Sequence, residues 1–200
     1  SKRLLNAVQS ETRNKERDYA IITLFLNCGM RLSELVGINI NDIDFSEEKL
    51  NVNLKLAELY ECGKYDETIT ECNKILKKDK NNFNALAIKF SAQFELTKYT
   101  EALKTCDKLL ELEPNNLVII YAKATTLYKL NIYNEAIECY DKILEVTDNF
   151  NVLFFKSASL LILNKYEEAL KYCNYALELE PENCDANGLK QLIKYKIAQK

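Results

Sequence analysis

The sequence predicts an all-α chain built from stacked helix–turn–helix units, and three observations carry that prediction. Only 4 Gly and 2 Pro stand among 200 residues, too little punctuation for a turn-rich β fold. Hydrophobic residues make up 48% of the chain, enough to bury a core. The sequence also repeats itself. Tyr65, Tyr99, Tyr133 and Tyr166 follow one another at intervals of 34, 34 and 33 residues, and a period of this length marks a repeat architecture.

Each period holds two helical stretches. One precedes the Tyr-containing turn, as at residues 85–96 and 119–130; the other follows it, as at 100–112 and 134–146. In the second kind, Ala102, Leu103, Cys106, Leu109 and Leu110 recur at helical spacing. Such a hairpin cannot bury its apolar faces alone, so the hairpins must stack. Lys80, Pro114, Asp148 and Pro181 mark the repeat ends in the same phase, and the residue missing from the last interval is expected in the turn at 149–151.

A 34-residue helical hairpin resembles the tetratricopeptide (TPR) family. The shared marks are the Tyr after the turn, the Ala three residues later (Ala102, Ala136, Ala169) and the Pro after the second helix (Pro114, Pro181). The resemblance spans about 49–200, with repeats at about 49–82, 83–116, 117–149 and 150–183 and a capping helix over 184–200. Thr68 stands in place of the first Ala. Large Leu56 and Phe90 stand where later repeats carry Ala124 and Ser157, so the first two repeats are expected to pack less regularly.

The resemblance implies a TPR-like α-solenoid, a right-handed superhelix whose first helices line a concave face that binds a peptide or a partner helix. By position, the lining residues are Asn53, Ala57, Tyr60, Ala87, Ser91, Phe94, Tyr121, Thr125, Tyr128, Phe154, Ala158 and Leu161. This is an aromatic and apolar set, of the kind that anchors peptides. The subclass that grips chaperone C-termini needs a basic clamp, but the corresponding slots hold Asn53, Ala57, Ile88, Val118 and Ala122. A chaperone-tail cochaperone is therefore not expected.

Two further ladders run through the repeats. Cys72, Cys106 and Cys173 share one position of the second helix, with Cys139 one residue before it, and are expected to be small buried fillers. Lys55, Lys89, Lys123, Lys156 and Lys190 share a position of the first helix. They form either a basic track or a row of stems covering the inter-helix groove.

Residues 1–48 do not follow the period. Arg17-Asp18-Tyr19-Ala20 opens an apolar helix over about 16–28, ending at Gly29. Gly29-Met30-Arg31-Leu32-Ser33-Glu34-Leu35 follows, then a short helix to Gly37 and the string Asp42-Ile43-Asp44. In order and spacing this resembles the start of the catalytic domain of tyrosine recombinases (phage integrases), over about 1–52. The resemblance places Arg31 at the first catalytic arginine, which holds the scissile phosphate. The remaining set, which includes a His-x-x-Arg box, has no counterpart here: the chain contains no His and no Trp. One arginine cannot perform phosphoryl transfer, so no catalytic residue and no enzymatic activity are expected. Ser46 is a good N-cap, and one helix over about 47–62 is expected to form the first helix of the first repeat.

Composition narrows the function. With 27 basic and 30 acidic residues the net charge is −3, which leaves no electrostatic footprint for nucleic acid. Without His, and with seven Cys but no Cys-x-x-Cys, no metal or cofactor is expected. Reduced cysteines and the lack of a span of roughly 18 apolar residues point to the cytoplasm. The first residue is Ser1, which points to a trimmed or an engineered chain. The reading is a non-catalytic scaffold that binds a protein or peptide. The alternatives are an inactive recombinase remnant with residual DNA contact, or a natural or engineered chimera with no joint function. The helix at about 16–28 would either cap the first repeat or pair two copies into a homodimer.

Overall fold

The computed structural model describes residues 55–199. The helices expected at about 16–28 and 31–36, the whole recombinase-like segment, Asn53, and the first half of the 47–62 helix lie outside the described residues. Nine helices and no strand occur among the described residues. They are α1 (55–61), α2 (Tyr65–Lys78), α3 (Phe83–Glu95), α4 (Tyr99–Leu112), α5 (Leu117–Lys129), α6 (Tyr133–Leu144), α7 (Phe150–Ile162), α8 (Tyr166–Leu179) and α9 (Cys184–Ala198). The odd-numbered helices are the first helices of the hairpins. The chain divides into two compact units, 1–92 and 93–200, with the division inside α3.

A single device closes every hairpin. The first helix ends on a residue in the left-handed region: Gly63 (φ 70°), Thr97 (φ 58°), Asn131 (φ 62°) and Asn164 (φ 60°). Each makes the paired bonds of a Schellman cap. In the third repeat, Asn131 N–H donates to the Tyr128 carbonyl at 3.0 Å and Ile132 N–H to that of Leu127 at 2.9 Å. The same two bonds recur after α1, α3 and α7. Gly and Asn accept this conformation readily; a β-branched Thr does not.

A second device starts each following first helix. The side chains of Asn82, Asn116, Asn149 and Asn183 accept bonds from backbone N–H groups of α3, α5, α7 and α9. Three of these caps are themselves clasped by an acid three residues earlier. Asn82 bonds Asp79 at 3.2 Å, Asn116 bonds Glu113 at 2.6 Å and Asn183 bonds Glu180 at 3.0 Å. Before Asn149 the corresponding residue is Val146, 69% exposed. The missing residue is therefore in the turn at 145–149, ahead of Asn149, and not at 149–151 as the repeat-end markers suggested. α6 is also shorter, with 12 residues against 14 in α2, α4 and α8. Asp148 had been aligned with Pro114, but the cap, not the Pro, keeps the register.

In the first unit, Leu56, Cys72, Ala85 and Leu86 are buried. Thr68, also fully buried, offsets its polar group by donating its hydroxyl to the Lys64 carbonyl at 2.9 Å. In the second unit each helix packs on the next from α4 through α9, and α7 also touches α9. One core joins Ile120, Ala124 and Leu127 of α5 to Ala136, Tyr140 and Ile143 of α6 and Val152 of α7. Another joins Leu160, Ala169, Cys173 and Ile193. Gln93 and Thr105 bury their polar groups together, the Thr hydroxyl donating to Gln Oε1 at 2.7 Å.

The cysteines fill core positions. Cys72, Cys106, Cys139 and Cys173 are buried and free, whereas Cys62 and Cys184 are exposed. The Cys106 thiol donates to the Ile119 carbonyl at 3.4 Å and the Cys173 thiol to that of Ala186 at 3.3 Å. Burial pushes the thiols of Cys72 and Cys106 up to about 12.

Replacing Thr97 by Gly relieves the strained closure and raises unfolding free energy by about 1 kcal/mol, while Asn116→Ala lowers it by about 1 kcal/mol; urea titration of the full chain reads both. With iodoacetamide at pH 8, peptide mapping finds Cys62 and Cys184 labelled first and the four buried thiols protected until denaturant is added. The folded chain retains protons on Cys72 and Cys106 that the unfolded chain has lost. Stability therefore falls as pH rises from 9.0, the ordinary thiol value, toward about 12.

Candidate functional site

The expected lining residues recur at i, i+4 and i+7 along each first helix, which sets them on one stripe. In the second unit, Phe94 stands in the last turn of α3, Tyr121, Thr125 and Tyr128 on α5, and Phe154, Ala158 and Leu161 on α7. All are half-buried except Ala158, which is buried. In the first unit, Ala57 and Tyr60 on α1 and Ala87 and Ser91 on α3 are half-buried as well.

The rings of this stripe are fixed by their neighbours. At each of the first three closures the last ring of the first helix meets the Tyr that starts the second: Tyr60 with Tyr65 at 5.3 Å, Phe94 with Tyr99 at 5.2 Å and Tyr128 with Tyr133 at 5.5 Å between centroids. These tilted and edge-on contacts are the favoured aromatic geometry. Tyr133 and Tyr166 are tied in turn by donating their hydroxyls to Asn131 and Asn164 at 2.6 and 2.7 Å. Tyr128 also meets Phe155 edge-on at 5.4 Å, which links α5 to α7, and Phe154 lies between Phe150 and Phe155 at 5.9 and 5.5 Å. Each ring thus spends one face on packing and keeps part of its surface open. Burial raises the Tyr121 and Tyr128 hydroxyls above their ordinary value, so the stripe stays uncharged at neutral pH.

The stripe continues beyond the four expected repeats. Thirty-four residues after Phe154, Ala158 and Leu161 stand Gly188, Leu192 and Tyr195 of α9. Leu192 is 46% exposed and Tyr195 59%. The period itself points to them, since the same step of 34 carries Lys156 to Lys190.

The lysine ladder is matched by a ladder of partners on the second helices. Lys89 donates to Asn73 at 2.7 Å, Lys123 to Asp107 at 2.7 Å, and Lys156 to Asp141. Lys55 lies 3.6 Å from Glu71. The hydrogen bond and charge of Asp107 hold the Lys123 ammonium above its ordinary pKa against desolvation. The Lys156 side chain is 4% exposed and also sits 3.5 Å over the Tyr172 ring. Asn174, one period after Asp141, keeps a buried Oδ1 without a hydrogen-bond partner. Lys123 and Lys156 thus meet a carboxylate of the preceding second helix and Lys89 a neutral amide there, while the Lys55 side chain stays 61% exposed. Asp141, Leu144, Glu145, Lys156 and Tyr172 line an open cleft of about 400 Å³. No helix among the described residues is long and apolar enough to cross a membrane.

Comparison with known proteins gives two different answers for the two parts of the chain. The solved structure described as a MamA RS-1 ArsTM double mutant is similar over 76% of this chain and 86% of its own, with a TM-score of 0.72 and 17% identity. MamA 41-end from Desulfovibrio magneticus RS-1 is similar over 78% of this chain and 94% of its own, with a TM-score of 0.68 and 16% identity. At that identity the likeness shows the fold, a TPR-like all-α solenoid. Residues 99–176 match the family model described as anaphase-promoting complex, cyclosome, subunit 3.

The N-terminal part is 64% identical over 52 residues to the tyrosine recombinase XerC of Caldanaerobacter subterraneus subsp. tengcongensis. That stretch is 26% of this chain, and the chain spans only 14% of that relative's length. The model of the phage integrase family matches residues 1–135. Its match overlaps the other over 99–135, where the chain folds as α4, α5 and the first residues of α6. By that match over more than half of its length the chain belongs to the phage integrase family, and it joins that family's segment to TPR-like hairpins.

Proposed function

We propose that the chain is a non-catalytic scaffold that binds a protein partner, a peptide or helix, on the aromatic stripe of its first helices. The observation that carries the reading is the stripe in the second unit, where Tyr128 and Phe154 are held by edge-on or stacked rings, Tyr121 packs against the core of α5 and α6, and all three are left half-open. Rings fixed before a partner arrives cost little entropy to engage. The lack of any His among 200 residues supports a role without acid–base or nucleophilic chemistry. In this reading the protein works in the cytoplasm and needs no cofactor.

A second reading, residual DNA contact by the recombinase-like segment, is favoured by one observation: all four arginines of the chain lie at or before Arg31. Against it stands the balance of that segment, 7 basic to 8 acidic residues over 1–52. Pairing of two copies through the N-terminal helices is compatible with either reading.

Crosslinking pull-down from source-cell lysate with the full chain and a Tyr121→Ala/Tyr128→Ala variant tests the first reading. A partner is captured by the wild type and lost with the variant, whose helicity stays intact by circular dichroism. Capture that ignores the two substitutions removes the mechanism. For the second reading, fluorescence anisotropy with a 30-base-pair duplex is the check. A scaffold gives weak binding that Arg31→Ala leaves unchanged, whereas a DNA-contacting segment gives salt-dependent affinity that falls with Arg31→Ala.

A further inference from the structure

α9 is the fifth helix of the first kind, and its residues align with those of α5 and α7 one period at a time. Ile120, Ala124 and Leu127 of α5 pack on α6. In α7 the same slots hold Leu153, Ser157 and Leu160, all buried. One period later α9 carries Asn187, Gln191 and Lys194, all exposed. That face meets water, and its residues suit water. The stripe beside it does not change in this way. Leu192 and Tyr195 stay apolar and exposed, and a Cβ added at Gly188 would meet nothing within 4 Å beyond its own helical backbone. A terminal helix of a repeat array is expected to be polar on its outer side. α9 is polar where a second helix would pack, yet apolar along the stripe. Its exposed Leu192 and Tyr195 are therefore suited to contact and are not left over from stacking.

Charge in the second unit divides by kind of helix. The first helices α5, α7 and α9 carry six lysines and one acid, Asp185, whereas the second helices α4, α6 and α8 carry nine acids and four lysines. Lys123 and Lys156 spend their charge on acids of the second helices. Lys129 and Lys196 do not. Each directly follows the last ring of its helix, Tyr128 or Tyr195, is exposed, and makes no ion pair among the described residues. Asp185 lies in the first turn of α9, at the other end of the helix from Lys196. An apolar stripe edged by unpaired lysines, with no carboxylate on α5 or α7, favours an acidic ligand and disfavours a basic one. We propose that the stripe of α5, α7 and α9 binds an acidic peptide of a partner protein. Its apolar side chains rest on Tyr121, Tyr128, Phe154, Leu192 and Tyr195, and its carboxylates meet Lys129 and Lys196. α9 is then part of the binding surface as well as a cap. The inference rests on the peptide-binding reading above.

The test is panning of a displayed library of random dodecapeptides on the full wild-type chain, followed by titration of the best peptide by fluorescence anisotropy. Wild type enriches peptides that join net negative charge to apolar residues, and their affinity falls as NaCl is raised. Lys129→Glu/Lys196→Glu and, separately, Leu192→Ser/Tyr195→Ser each bind the peptide about tenfold more weakly. Both variants are altered only at exposed positions and keep the wild-type helicity by circular dichroism. Enrichment of neutral or basic peptides, or wild-type affinity in either double variant, overturns the proposal. So does self-association of the wild type in sedimentation velocity that Leu192→Ser/Tyr195→Ser abolishes, since a second copy would then cover this end of the stripe. If no peptide is enriched, or if Tyr121→Ala/Tyr128→Ala binds the selected peptide as wild type does, the peptide-binding reading itself falls and takes this proposal with it.

Discussion

Everything in the repeat array hangs on the reversal between the two helices of each hairpin. The chain must turn back within three residues, and it does so by placing one residue at positive φ and tying that residue's N–H and the next one to carbonyls of the preceding turn. That geometry fixes where the second helix begins. It therefore fixes which ring meets which: the contacts of Tyr60, Phe94 and Tyr128 with the Tyr five residues on exist because the closure brings the end of one helix beside the start of the next. The aromatic stripe is thus a product of the turn as much as of the helix face that bears it.

The polar ladders answer a different constraint. Stacked hairpins set α5 and α7 each between two second helices, and a long side chain there must find a partner or reach water. Lys89, Lys123 and Lys156 find one on the preceding second helix each time. The ladder is a by-product of stacking.

The hairpins, their number and their period were legible in the sequence because helix period and turn residues repeat the same message four times over. The Asn caps and their acidic clasps were equally regular, yet Pro114 and Pro181 drew the register to themselves, and the missing residue was set on the wrong side of Asn149. Aligned repeats reveal which residues are equivalent but not what lies across the core. Tyr140 sits in a slot that reads as a cysteine position, and only packing shows its ring buried against side chains of α5 and α7. The stripe residues were named from resemblance by position. Their anchoring by edge-on contacts depends on the closure geometry, which spacing alone does not contain.

Because each first helix from α3 onward carries its own starting Asn, and each from α1 to α7 its own left-handed stop, one hairpin is a self-contained word of the chain. A gene copying slip that begins at one cap and ends at the next adds or deletes a whole hairpin without spoiling any turn. Growth by duplication is then nearly free of folding penalty, and drift within copies, such as Gly63 becoming Thr97 or Asn131 at the same site, is what remains to tell the copies apart. The same independence lets a foreign leading segment be spliced ahead of the array without disturbing the hairpins that follow.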